Sequence, residues 1–180
     1  MKRVVITGLG AVTPVGNDVP TMWAALLAGT SGVARISAFD PSSLDSQIAA
    51  EVKGFDPAAY LTPKEIKRTE PFVQFAVAAS KQAVADAGIR IDQEDPFRAG
   101  IVIGCGMGSM HLIEQQYATL TSKGPKKLSP FMIPMLIANM GAGQAAISLG
   151  FKGPNSCTTT ACASGAHGVG EAFRVVQRGD

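Results

Sequence analysis

The reactive side chains of this sequence are three thiols, Cys105, Cys157 and Cys162, and two imidazoles, His111 and His167. Cys162 has the sharpest setting. It lies in Thr160-Ala161-Cys162-Ala163-Ser164-Gly165-Ala166, after a β-branched run and before a helical period. Small residues on both sides permit a tight strand-to-helix turn with close backbone packing. The arrangement is like a nucleophile elbow, although the G-x-S-x-G pattern is absent. A thiol at a helix N-terminus meets the positive end of the dipole and unpaired N–H groups, which favour the thiolate. A thiolate attacks thioesters and can hold the acyl group as a new thioester. The competing reading is a buried cysteine that acts as a small apolar side chain in a tightly packed helix. An odd number of cysteines suggests no disulfide framework. The histidines do not complete a zinc-type cluster, so no metal site is expected.

Two glycine turns and two basic clusters are the other candidates. Gly104-Cys105-Gly106-Met107-Gly108 follows an apolar run. As a phosphate cradle it lacks the Lys-Ser/Thr that ends a P-loop, and the alternative is a close-packed turn after a buried strand. Gly8, Gly10 and Thr13 give G-x-G-x-x-T, close to a dinucleotide fingerprint, and carry the alternative of an NAD(P)-dependent oxidoreductase. Against that, Thr13 replaces the third glycine, Pro14 follows it, and no acidic residue stands at the expected spacing. Lys64, Lys67 and Arg68 share one helix face by their i, i+3, i+4 spacing. Lys123, Lys126 and Lys127 sit on a loop. Such charges are ordinarily a solvated surface.

The elements that must position these residues follow from periodicity and punctuation. Residues 4–7 read as a buried strand ended by Gly8-Leu9-Gly10. Pro20 starts a short helix that Gly29 stops. Residues 32–55 read as an irregular insertion. Thr62-Pro63-Lys64-Glu65 is a capping box with proline at the first helical position. Pro71 restarts or kinks that helix, and Phe72, Phe75, Ala76, Ala79 and Ala83 keep the period as far as Gly88. Residues 99–104 form a second buried strand. Residues 112–120 and 135–149 are expected to be helical, with a loop over 122–127. Residues 155–160 form a third strand. The last helix starts near Cys162, with Val169, Ala172, Phe173 and Val176 as its apolar stripe. Strands alternating with helices imply an α/β fold with a largely parallel sheet.

Composition sets the outer bounds. The 180 residues are 46% hydrophobic and 17% charged, enough for one domain with a real core. A net charge of +2 gives no reason to expect nucleic acid as a partner. The apolar run after Met1-Lys2-Arg3 is too short for a signal peptide. Residues 131–138 contain Pro134 and are too few to span a bilayer. A soluble cytoplasmic protein with no membrane partner is expected.

At Cys162 the chain also resembles a known family. Thr160-Ala161-Cys162-Ala163-Ser164-Gly165 is similar to the active-site motif of β-ketoacyl synthases. Arg3-Val4-Val5-Ile6-Thr7-Gly8-Leu9-Gly10 with Thr13-Pro14-Val15-Gly16 looks like that family's opening. Ser129-Pro130-Phe131, with Pro134-Met135 and Asn139-Met140, also matches. The resemblance covers all 180 residues and is nearest to the discrete, type II synthases that elongate medium to long acyl chains.

That resemblance implies a thiolase-like α/β fold, with residues 1–180 as its N-terminal half and a mixed, mostly parallel sheet packed with helices. It implies that Cys162 takes an acyl group from acyl-carrier protein. Malonyl-carrier protein then loses CO2, and its carbanion attacks the Cys162 thioester to give a 3-oxoacyl-carrier product. Met107 falls where synthases gate the bottom of the acyl pocket, and Phe131 is assigned to substrate binding with it. Lys64, Lys67, Arg68, Lys126 and Lys127 match positions where an acidic carrier protein docks. The resemblance implies a homodimer and no cofactor. It also implies a truncated chain. Family members are more than twice as long, and their active-site histidines, a lysine and part of the oxyanion hole lie in the second half. His111 and His167 match none of these, so His167 is assigned a structural role and the chain alone is expected not to complete the condensation. A non-catalytic role like that of polyketide chain-length partners is the remaining alternative. Those proteins typically replace the cysteine that is present here.

Overall fold

The computed structural model describes residues 2–180. Its elements run α1 (Val19–Leu27), β1 (Val33–Arg35), β2 (Ile48–Ala50), α2 (Pro63–Ile66), α3 (Pro71–Asp86), β3 (Ile101–Gly104), α4 (Met110–Lys123), α5 (Met132–Leu136), α6 (Met140–Leu149), β4 (Asn155–Thr158) and α7 (Ser164–Arg178). Short 3-10 turns join several of them.

The core lies between α3 and α6. Val73 and Val77 of α3 cluster with Leu61, Ile101, Ala142, Ala145, Ala146 and Leu149. Alanines on α6 let the two backbones approach closely, and the branched α3 side chains fill the space between them. β3 and β4 pair in parallel, with Ile101 opposite Asn155 and Gly104 opposite Thr158. Strand side chains alternate between faces. Ile101 and Ile103 therefore join the α3–α6 core, while Val102 borders a cavity on the α7 side together with Ala172 and Val175. The parallel pair is thus layered between α6 and α7, as the alternation of strands and helices predicts.

Several boundaries differ from the sequence reading. Residues 4–7 form no strand, and Ile6 is 81% exposed. The residues that follow, 8–11, run along α3, whose side chains take two of their amides. Leu9 N–H donates to Asp86 Oδ2 at 2.8 Å and Ala11 N–H to Gln82 Oε1 at 3.0 Å. Residues 32–55 are not wholly irregular: β1 and β2 pair antiparallel, Val33 with Ala50 and Arg35 with Ile48. Three-residue strands are too short to show an alternating pattern.

The helix expected over 135–149 is two helices. Ile137 leaves helical geometry at ψ 138°, and the carbonyl of Leu136 accepts from Ser109 N–H at 3.3 Å. The capping box at Thr62 forms, but α2 is a single turn, and Pro71 starts a separate helix. α3 buries Val73, Gln74, Val77 and Ala78 most deeply, offset from the expected stripe, because it is packed on more than one side. Part of the loop expected over 122–127 is ordered, with α4 ending at Lys123 and a 3-10 turn over Pro125–Lys127.

α7 covers its expected apolar stripe only partly, with Ala172 half-buried. Its buried residues are Ser164 and Gly168, and Val169 of the apolar stripe is 71% exposed. Small residues face the sheet because the strand ends approach the helix too closely for larger ones. Phe173 is also exposed, and Val176, half exposed, borders a cavity with Ala172, Val175 and Val102.

Candidate active site

The β4–α7 connection is an elbow built by hydrogen bonds from within itself. Thr160 N–H donates to Ser164 Oγ at 2.9 Å, and the Ser164 hydroxyl donates to the Ala161 carbonyl at 2.7 Å. Ala163 N–H reaches the Thr160 carbonyl and Ser164 N–H the Ala161 carbonyl, both at 3.1 Å. Together these close the turn tightly enough that Ala161 takes φ +50°, the one positive φ at a non-glycine among the described residues. A left-handed alanine costs roughly 1–2 kcal/mol, and Ser164, only 3% exposed, supplies the bonds that offset it. Sequence reasoning named the small residues here but gave Ser164 no role. A serine two residues after the thiol, at a helix start, was the available signal.

Cys162 sits at the crest and is exposed, whereas Cys105 and Cys157 are half-buried. The helix itself starts at Ser164, with Ala163 as N-cap, so the thiol stands just beyond the first turn. An exposed thiol on a rigid turn at a helix's positive end can meet an incoming thioester. The Thr160 hydroxyl and His167 Nδ1 lie 2.7 Å apart, a contact that ties the first turn of α7 back to the elbow and fits a structural part for His167. His111 is paired instead with Gln115 on α4.

The glycine turn after β3 packs against the elbow. A Cβ on Gly104 would overlap the carbonyl of Ser164. One on Gly106 would lie 3.3 Å from the Ala161 carbonyl oxygen. Cys105 N–H donates to the Thr158 carbonyl at 3.1 Å. The glycines serve close packing, and the phosphate-cradle alternative is set aside. The dinucleotide reading fails for a similar reason. Gly8 and Gly10 are pressed on α3, where a Cβ would lie 2.8 Å from Ala87 Cβ in one case and 2.9 Å from Ala83 N in the other. No helix begins until Val19.

Met107 stands on this turn, 67% exposed, next in sequence to Gly106, whose backbone packs near Ala161. Phe131 is the N-cap of α5, and its ring lies 4.4 Å under the Arg68 guanidinium. That contact sets Arg68 against the start of α5, four residues after Lys127 in sequence. Lys64, Lys67, Arg68, Lys126 and Lys127 are all exposed. They do not share one helix face: Lys67 is the C-cap of α2 and Arg68 lies beyond it. Next to the turn is an open groove of about 1100 Å³, bordered by Glu70, Phe72, Gly108, Ser109, Ile113 and Tyr117. Neither Met107 nor Phe131 lines it. Among the described residues no group of three or more His, Cys, Asp or Glu side chains could hold a metal, and no helix is long and apolar enough to cross a membrane.

The family model for the β-ketoacyl synthase N-terminal domain matches residues 1–180. The chain belongs to the β-ketoacyl synthase family. It is similar to the 3-oxoacyl-(acyl-carrier-protein) synthase 2 of Coxiella burnetii, 50% identical over 179 residues, covering 99% of this chain and 43% of that protein. The corresponding protein of Synechocystis sp. is 49% identical over 178 residues, with the same coverage. The chain therefore spans less than half the length of these relatives. Among solved structures, a ketosynthase in complex with its type II polyketide acyl-carrier protein and bound to the hexaketide superposes with a TM-score of 0.85 at 25% identity. That match covers 99% of this chain and 48% of the other. The family's fold is the thiolase-like α/β fold expected from the sequence, and the layered arrangement described above is its local expression here.

Proposed function

We propose that this chain contributes the acyl-accepting half of a 3-oxoacyl-(acyl-carrier-protein) synthase, with Cys162 as nucleophile. The observation that carries the reading is the exposed Cys162 thiol on a left-handed Ala161 turn at the start of α7, in a chain half identical to proteins named as such synthases.

In this reading the Cys162 thiolate attacks the carbonyl of an acyl thioester on acyl-carrier protein. The new C–S bond forms as the carrier's C–S bond breaks, and the carrier leaves as its thiolate, which takes a proton from water. Malonyl-carrier protein next loses CO2, and the electron pair released forms a carbon–carbon bond to the Cys162-bound acyl carbon. The Cys162 thiolate departs and the product is a 3-oxoacyl-carrier thioester. The thioester oxygen gains negative charge in both steps, and backbone N–H groups at the elbow are suitable donors to it. Residues 1–180 then form the N-terminal half of the catalytic unit, and the groups that promote decarboxylation lie outside it. Met107 and Phe131 contribute to the acyl site, and the basic residues from Lys64 to Arg68 with Lys126 and Lys127 receive the acidic carrier. The enzyme works in the cytosol as a homodimer.

The test is intact-mass detection of an acyl adduct. The natural full-length chain, with and without Cys162→Ala, is incubated with a medium-chain acyl-carrier protein. An adduct on the wild type that disappears in the variant is expected. A folded wild type that gains no mass refutes the assignment.

A further inference from the structure

The glycine turn is held at both ends, and its second anchor is a carboxylate. Glu70 occupies the N-cap of α3, yet its side chain makes no hydrogen bond to its own helix. Instead its Oε2 accepts from the Ser109 hydroxyl at 2.7 Å, across 39 residues of sequence. Ser109 is only 7% exposed. Its Oγ accepts Leu112 N–H at 3.2 Å, and its own N–H donates to the Leu136 carbonyl at 3.3 Å. A hydroxyl has one proton to give, and Glu70 takes it. Removing that bond leaves a buried hydroxyl without an acceptor. The turn is thus fixed at Gly106 against Ala161 and at Ser109 by Glu70, with Met107 between the two anchors.

We infer that Glu70 is a positioning residue for the Met107 turn, and that through Ser109 it sets which acyl chain lengths the site accepts. The inference rests on the proposed reading of Met107 as part of the acyl site. A chain long enough to reach the turn meets a wall whose position depends on the Glu70–Ser109 bond. A shorter chain does not reach it. Loss of the bond therefore acts on the ratio between long and short acyl substrates and leaves acylation of Cys162 by short ones intact.

The experiment measures kcat/KM for acyl-carrier substrates of increasing length with the natural full-length chain and its Glu70→Ala, Glu70→Gln, Ser109→Ala, Glu70→Ala/Ser109→Ala and Met107→Ala variants. Glu70→Ala is expected to change the ratio of longest to shortest accepted substrate by about tenfold, the scale on which pocket contacts discriminate small apolar differences. Glu70→Gln keeps an amide oxygen that accepts from Ser109 and should restore the wild-type ratio. The double variant should match Ser109→Ala alone, because the two residues share one bond. Equal loss at every chain length would show a purely structural part and overturn the inference. If Glu70→Ala does not fold, a wild-type ratio in Ser109→Ala overturns it equally. An unchanged ratio in Met107→Ala would remove the reading of Met107 and this inference with it, whereas absence of acylation in the wild type would instead remove the proposed function.

Discussion

Gly104 and Ser164 touch through their backbones: a side chain on Gly104 would run into the Ser164 carbonyl and come within 2.5 Å of Gly165 N. The end of β3 and the first turn of α7 can be this close only because position 104 has no Cβ. Both obstacles are main-chain atoms, so no rotamer change relieves them. Gly104→Ala should destabilise the fold by about 3 kcal/mol or more, at the upper end of overpacking costs. Gly165→Ala is the matched control. Nothing lies within 4 Å of a Cβ there, and alanine is the better helix former, so stability should hold or rise by up to about 1 kcal/mol. Urea midpoints at constant slope measure both.

Ser164 is the second half of the same device. Its Oγ accepts Thr160 N–H and donates to the Ala161 carbonyl, so Ser164→Ala leaves a part-buried amide without its partner. The expected cost is about 1–3 kcal/mol. The functional effect should be larger than the stability effect suggests, because Ala161 loses a bond that holds its left-handed φ. Stopped-flow acylation of the variant should be slow, with Cys162 still the sole site of adduct by mass spectrometry. Wild-type acylation kinetics in a folded Ser164→Ala protein would show that the elbow does not depend on this serine.

The parts of this fold that were legible in sequence are those with local causes. The capping box at Thr62, the left-handed Gly88 after α3 and the parallel β3–β4 core were written in punctuation and β-branched runs. The parts that were not legible depend on partners distant in sequence. Residues 4–7 have the pattern of a buried strand, but they pair with no other strand and Ile6 is exposed, while the chain just after them is tied to α3 through the amides of Leu9 and Ala11. The helix expected over 135–149 breaks where Ser109 draws on Leu136. The stripe of α7 is helical in period, yet Val169 is exposed while Ala172 is half-buried, because periodicity reports a face and not which neighbour covers it. At the site, the small residues around Cys162 announced a tight turn. The bonds of Ser164 and the reach of Glu70 to Ser109 carry no sequence pattern.

The capping box gives a stability that depends on acid. The Thr62 hydroxyl, and then the Thr62 N–H, hydrogen-bond to Glu65 and hold its carboxyl below the ordinary value of 4.5. A carboxyl whose folded value is lowered favours the ionised form in the native state. Its contribution is therefore complete above pH 4.5 and is lost as the pH falls below that through the lowered folded value. Glu65→Ala should cost about 0.3–1 kcal/mol at neutral pH, the range for an acidic group in a first helical turn. The gap in Tm between variant and wild type should then close on acidification below the ordinary carboxylate range. A gap that stays constant into acid would mean that the ionised carboxylate contributes nothing.

The basic residues should not contribute equally to carrier binding. Arg68 lies 4.4 Å over the Phe131 ring, which limits its side-chain freedom before any partner arrives, whereas Lys64 stands exposed on α2. An ordered cation pays less entropy on binding an acidic surface. Charge reversal at either position should slow association with an acidic acyl-carrier protein at low salt, by about tenfold, since complementary charge acts mainly on encounter. Arg68→Glu should exceed Lys64→Glu, and Phe131→Leu should reduce the advantage of Arg68 without changing net charge. All of the charge effects should shrink toward 1 M salt, where the screening length is about 3 Å. Equal effects of Arg68→Glu and Lys64→Glu, unaltered by Phe131→Leu, would show that the ring does not prepare the arginine for its partner. Unchanged association in both reversals would place the docking surface elsewhere on the protein.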